Sequence, residues 1–207
     1  MPTALVTGGA IRLGRSVALH LAGRGYNIAL QYCSSRESAE QTAKEARNFD
    51  VQCKTYCADF TDFNSAPLLM GQVLADFNSV DLLVNSAANF IQKKIEETSN
   101  SELLDTININ LMAPFILMRE FKKKVNNGLI INILDERILR RVSTFGAYSV
   151  SKSALAHLTE LSAVSWGETV RVNGIAPGLI LPPAGSSGEY LLEKAPNIPT
   201  KTHGNTS

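Results

Sequence analysis

Cysteine is scarce in this sequence of 207 residues. Cys33, Cys53 and Cys57 are odd in number and lack zinc-like pairing, which excludes a disulfide framework and predicts free thiols in a reducing, cytoplasmic setting. Net charge is almost absent as well: Lys+Arg 20 against Asp+Glu 19 leave a formal +1. No global field then draws the chain onto nucleic acid or an acidic membrane surface, and any bound anion must be held by local groups. No apolar run approaches the roughly 18 residues of a membrane helix, and Met1 to Thr7 has no basic segment ahead of its apolar run. A soluble, untargeted chain is expected. His20, His157 and His203 form no metal-like cluster, and there is no repeat or charge block. What is abundant is apolar residue, 44% of the chain, enough for one substantial core and too little length for two comfortable α/β domains. Residues 1–207 are expected to form a single domain.

Apolar runs of strand length alternate with longer stretches of helical period, the pattern of βαβ units and of a parallel sheet covered on both faces. Strands are expected at Ala4 to Thr7, Asn27 to Tyr32, Val51 to Cys57, Leu82 to Asn85, Leu129 to Leu134 and Arg171 to Ile175. Helices are expected from near Arg12, Arg36, Ala66, Ser101 and Phe145, the last two being the longest. The chain is thus α/β with a doubly wound parallel sheet, and its binding crevice should lie beyond the carboxyl ends of the strands. After Pro177 the composition shifts. Residues 181–188 are rich in Pro, Gly and Ser, and Asn197 to Ser207 is polar without apolar period, so 179–207 is expected to be a loop and a loosely ordered tail.

The first strand ends in Thr7-Gly8-Gly9-Ala10-Ile11-Arg12-Leu13-Gly14 and runs into an apolar-periodic helix carrying Val17, Leu19 and Leu21. Glycines there permit a tight turn and close approach of backbone to a pyrophosphate, which the helix N-terminus would stabilise. A tight βα turn without ligand is the alternative. Arg12 opposes the helix dipole by about a few tenths of a kcal/mol or more, and an anion at that spot would reverse the sign; the alternative is a solvated arginine. The second strand ends in Tyr32-Cys33-Ser34-Ser35-Arg36 and lacks the acidic residue that accepts an NAD ribose about 20 positions after the glycines. Hydroxyls and an arginine suit a 2′-phosphate, hence NADP, although Ser34 or Ser35 would also serve as a helix N-cap.

These residues, with others further along, resemble the short-chain dehydrogenase/reductase family over nearly the whole chain. Thr7 to Gly14 resembles its cofactor turn, Asp59 the aspartate that contacts adenine, and Asn85-Ser86-Ala87-Ala88 the stretch that stabilises the central sheet. Asn110 matches the helix asparagine of the proton relay, and Tyr148-Ser149-Val150-Ser151-Lys152 matches the catalytic Tyr-x-x-x-Lys. Arg171 to Gly178 resembles the strand and Pro-Gly turn that flank nicotinamide. The resemblance implies a Rossmann fold lacking its last helix and strand. It implies that NADPH is bound by Gly8, Arg12, Leu13 and Gly14, by Tyr32, Ser34, Ser35 and Arg36, by Asp59 and Phe60, by Asn85 and Ala87, and by Tyr148, Lys152, Pro177 and Gly178. A homotetramer built through the long fourth and fifth helices is likewise implied; Leu155, Leu158 and Leu161 lie beyond one apolar stripe of the fifth.

Arg12 in place of a central glycine, Asp135 in place of the catalytic serine and Phe90 after the Asn85 motif resemble the pteridine reductases and dihydromonapterin reductases, as does the loop from Pro177 to Leu181. Tyr148 and Lys152, four apart on one helix face, would couple so that the ammonium favours the phenolate; a chance surface pair is the alternative. An ionised carboxylate at 135 would repel an alkoxide but accept from the N–H groups of a pterin ring edge; the alternative is a capping or loop aspartate ahead of Glu136 and Arg137. By resemblance Tyr148 and Asp135 pass the proton, Lys152 and Asn110 connect to solvent, and Arg12, Phe90, Asp135, Tyr148 and Leu179 meet the substrate. Phe90 could equally be a core residue, and Arg140 and Arg141 are expected to be solvated loop charges. The expected activity is NADPH-dependent reduction of a pterin such as dihydromonapterin, dihydrobiopterin or dihydrofolate. Two readings stand beside it: a general carbonyl or 3-oxoacyl reductase of the same family, and a truncated, inactive NADP-binding protein.

Overall fold

In the computed structural model, residues 1–125, 127–140, 142–183, 185 and 188–206 are described. Among them, six parallel strands form one sheet in the order β3-β2-β1-β4-β5-β6. The strands are β1 (Thr3–Val6), β2 (Asn27–Tyr32), β3 (Cys53–Cys57), β4 (Leu82–Asn85), β5 (Gly128–Ile133) and β6 (Val170–Ile175). The order reverses beside β1, the topological switch of a doubly wound sheet, and opens a crevice at the carboxyl ends there. β3 starts at Cys53 rather than Val51: Val51 is buried but precedes the first paired residue, since Ile28 pairs with Cys53.

One face is covered by α1 (Arg12–Gly23) and α2 (Arg36–Arg47). Their buried residues are small, Ala18 and Ala22 on α1 and Ala39, Ala43 and Ala46 on α2, so both helices lie close over Ala4, Val6, Ile28 and Leu30. The other face carries α3 (Ser65–Phe77), α4 (Asn100–Ile107), α5 (Ala113–Lys124) and α6 (Gly146–Trp166) over a larger core with Leu5, Leu83, Met118, Phe121 and Ile130. Burying a side chain of Phe121 size contributes about 1.5–3 kcal/mol.

α4 and α5 are joined by a π-helical turn, Asn108–Met112, into one continuous helical run, with Pro114 just beyond it. Proline has no N–H for the carbonyl four residues back, that of Asn110, and the wider turn absorbs the mismatch. A short helix α7 (Glu189–Lys194) and a 3-10 turn at Ala195–Asn197 occupy part of the segment expected to be loop and tail. They form because Leu191 and Ala195 are buried, and the Gly204 N–H returns to the Leu179 carbonyl at 2.9 Å. No helix of the described residues is long and apolar enough to cross a membrane.

Candidate active site

The glycine turn is built by backbone conformation that few residues tolerate. Gly8 has φ +63°, and a Cβ there would lie 2.9 Å from the Ala87 Cα. A Cβ on Gly14 would lie 2.2 Å from the Gly8 carbonyl oxygen, so the first turn of α1 packs directly on the loop. Arg12 also has φ +55°, the left-handed region, where a side chain costs roughly 1–2 kcal/mol. That explains why glycine suits this position and makes the arginine a residue held under strain. Its Nη2 donates to the Pro182 carbonyl at 2.5 Å, so it is exposed but not merely solvated. The N-cap Ile11 makes no side-chain cap bond and the first turn holds no acidic residue, which leaves the N–H groups of the helix start without a carboxylate.

At the ends of β2 and β3, Ser34, Arg36 and Asp59 are exposed and Ser35 is half-buried. Ser35 occupies the N-cap of α2 but makes no cap bond, so the capping alternative has the position without the hydrogen bond. Asp59 accepts from the N–H and hydroxyl of Thr61, both at 2.9 Å. The side chains of Tyr32 and Phe60 are packed into the two cores. Leu13 is partly buried against the same core as Tyr32.

The second half of the site lies at β4, β5 and β6. Asn85 donates to Asn132 Oδ1 at 2.8 Å across the register pair of β4 and β5, and Asn132 donates to Thr159 at 2.9 Å. The other amide atom, Asn85 Oδ1, is buried without a partner among the described residues. Pro177 accepts from the Glu136 N–H at 3.2 Å, which fixes the Pro177-Gly178 turn beside Asp135. Leu179 follows, half-buried.

Asp135, Tyr148 and Lys152 converge. The Tyr148 hydroxyl donates to Asp135 Oδ2 at 2.8 Å, and both groups are buried. Asp135 also caps the 3-10 turn Glu136–Leu139 through Oδ1, which accepts the Arg137 N–H at 2.8 Å. The capping and proton-carrying readings are therefore compatible, one oxygen for each. Phe90 is 48% exposed and meets the Tyr148 ring edge-on with centroids 4.7 Å apart, which removes the core alternative for this ring.

The expected phenolate is not what this geometry favours. Lys152 Nζ donates to the Ile133 carbonyl at 2.7 Å and lies 5.9 Å from the centroid of the Tyr148 ring. Burial, then the Asp135 charge and hydrogen bond, hold the Tyr148 phenol well above the ordinary tyrosine range, with Arg137 opposing them. Burial pushes Lys152 down to about 8, with Asp135 pulling it back up. Asn110, fully buried in the π turn, accepts from the Asn89 N–H at 2.7 Å and donates to the Asn89 carbonyl and the Ser151 hydroxyl. It joins the loop after β4 to α6 and has no direct bond to Lys152.

A profile of the short chain dehydrogenases matches residues 2–188. The chain belongs to this family. An uncharacterised oxidoreductase of Bacillus subtilis, YhxC, is 31% identical over 184 residues, 87% of this chain and 65% of that relative's length. This short-chain dehydrogenase thus spans less than two thirds of that protein. The 3-oxoacyl-acyl-carrier-protein reductase FabG of Staphylococcus aureus is 30% identical over 185 residues, 86% of this chain and 74% of the relative. Among solved structures, FolM alternative dihydrofolate reductase 1 from Brucella canis, complexed with NADP, superposes with a TM-score of 0.91 at 27% identity, covering 99% of this chain and 82% of that one.

Sequence reasoning missed several residues that hold this short-chain dehydrogenase site together. Gln31, buried in β2, accepts the Gly8 N–H at 2.8 Å and donates to the Ala58 carbonyl at 2.7 Å; a polar residue set between Leu30 and Tyr32 was its signal. The Thr7 hydroxyl accepts the N–H groups of Ser86 and Ala87, both at 3.0 Å. Arg137 reaches back to Asp135, and only its spacing of two from the aspartate hinted at this. Arg140 pairs with Glu136 at 2.9 Å rather than standing alone, and Arg141 lies outside the described residues.

Proposed function

We propose that this short-chain dehydrogenase is an NADPH-dependent reductase of a dihydropterin or related pterin or folate ring. The observation that carries the reading is the Asp135–Tyr148 hydrogen bond beneath the half-exposed Phe90. An ionised carboxylate opposes an alkoxide product and suits a ring edge rich in N–H donors.

Local features fit the cofactor. Gly8 and Gly14 permit close backbone approach, the start of α1 offers uncapped N–H groups, and Ser34, Ser35 and Arg36 suit a 2′-phosphate. Asn85 Oδ1, buried and without a partner among the described residues, is an acceptor at the same edge. NADPH, when bound, supplies the hydride for the ring carbon of a C=N bond. Tyr148, kept protonated by burial and Asp135, supplies the proton for the nitrogen. Asn110 ties Ser151 of α6 to Asn89 in the loop carrying Phe90, and Lys152 ties α6 to the end of β5 through the Ile133 carbonyl. Phe90 and Leu179 flank the ring, and Arg12 answers acceptors of substrate or cofactor phosphate. The setting is cytoplasmic, and the assembly a homotetramer.

A second reading, reduction of a 3-oxoacyl thioester, is favoured by the FabG relatives. Asp135 in place of a hydroxyl donor opposes it. Purified protein with NADPH is mixed in parallel with dihydromonapterin, dihydrobiopterin, dihydrofolate and an acetoacetyl thioester while nicotinamide absorbance is followed. Oxidation of NADPH by a pterin is expected. Turnover of the thioester alone would overturn the pterin reading, and cofactor binding without any turnover would favour an inactive NADP-binding protein.

A further inference from the structure

Arg137 belongs to the short turn that Asp135 caps, yet its side chain folds back onto the capping carboxylate. Nη1 lies 3.0 Å from Oδ2 and 3.2 Å from Oδ1, in addition to the backbone N–H on Oδ1. Oδ2 is therefore shared between the guanidinium and the Tyr148 hydroxyl. The guanidinium carbon sits 4.6 Å from the Phe145 ring centroid and 5.5 Å from that of Phe90, so two aromatic faces hold it where it is. The two rings are themselves in contact, centroids 5.0 Å apart.

This arrangement matters when the phenol lets go. To hand its proton to a substrate, the Tyr148 hydroxyl must turn away from Oδ2. A carboxylate as buried as Asp135 is strongly disfavoured when it loses a donor with nothing to replace it. Arg137 Nη1 remains on both oxygens after the hydroxyl leaves, so the carboxylate keeps its position and its charge compensation. Without that guanidinium contact the carboxylate would hold the phenol back, or swing toward water.

We propose that Arg137 is a positioning residue for the Asp135–Tyr148 pair: it fixes the carboxylate so that the phenol is released to a flat substrate lying against Phe90. The proposal rests on the reading of that pair as the proton carrier. Arg137→Gln is expected to lower kcat by about 10- to 100-fold with KM for NADPH within about 2-fold, the pattern of lost alignment rather than lost binding. Arg137→Lys, which keeps the charge but not the planar guanidinium held against Phe145 and Phe90, should fall between wild type and Arg137→Gln. Arg140→Gln, in the same turn but paired with Glu136, should leave kcat unchanged. In an Asp135→Asn background the further loss from Arg137→Gln should be under about 3-fold, because the group it positions is gone.

Rates are taken on whichever substrate wild type turns over, pterin or thioester, so failure of the pterin reading leaves this comparison intact. Equal losses from Arg137→Gln with and without Asp135, or an unchanged kcat, would overturn the proposal. If wild type turns over neither substrate, the same cycle is read in Tm. A drop confined to the Asp135 background supports the coupling, and additive drops overturn it.

Discussion

At Tyr148 a carboxylate, not an ammonium, is hydrogen-bonded to the hydroxyl, and the residue's chemistry follows from that contact. A buried phenol beside an aspartate keeps its proton, as the proposed reduction requires of its donor. Tyr148→Phe removes the proton and leaves the ring; turnover is expected to vanish while NADPH affinity, measured by fluorescence titration, stays within about 2-fold. A large loss of affinity would mean the ring itself holds the cofactor. Lys152 gives a second prediction at this scale. Burial sets its folded pKa at about 8, below the ordinary lysine value, so between about pH 8 and pH 10 the unfolded chain holds a proton the folded chain has released. Stability from this residue therefore rises with pH across that window. The difference in unfolding free energy between wild type and Lys152→Met, taken from urea titrations, is expected to grow in favour of wild type over it; a flat difference would mean that the ammonium is hydrated. The identities of Tyr148, Lys152 and Asp135 were legible in the sequence, but their mutual orientation was not, because an i,i+4 spacing places two residues on one helix face without saying which partner each side chain reaches.

At the scale of the element, two glycines on helices behave oppositely. Gly14 faces the glycine loop with no room for a Cβ, whereas Gly71 in α3 has no atom within 4 Å of where a Cβ would stand. Gly14→Ala is expected to lower Tm and weaken NADPH binding by about 10-fold or more, since the turn must shift to admit the methyl. Gly71→Ala should instead add about 0.5–1 kcal/mol by removing a glycine from a helix interior. Calorimetry and cofactor titration separate the two, and equal effects would mean the α1 contact is not tight. The strands and the starts of α1, α2, α3, α4 and α6 followed closely from apolar period, yet α7 and the π turn around Asn110 did not. Its cause, Pro114 within a continuous helix, has a sequence signal, but the outcome depends on how the flanking turns are packed.

At the scale of the molecule, α6 buries Leu155 in the core and leaves Val150, Leu161 and Val164 exposed, while Leu103, Leu104 and Phe115 are exposed on the neighbouring run of α4 and α5. Apolar side chains on two adjacent helices fit the cover of a second copy. Light scattering on a sizing column is expected to give four times the 22.4 kDa chain mass, and Leu161→Glu to give a smaller species. A monomeric wild type would sink the tetramer. Composition, period and the order of motifs were sufficient for the α/β class, the parallel sheet and the residues gathered at its carboxyl edge, because those depend on which chemistry recurs at which spacing. Which side chain pairs with which was settled by packing. Tyr32 and Phe60 turned inward because two cores had to be filled, Lys152 turned to the Ile133 carbonyl because a buried ammonium needs an acceptor, and Arg137 closed on Asp135 because two aromatic rings held it there.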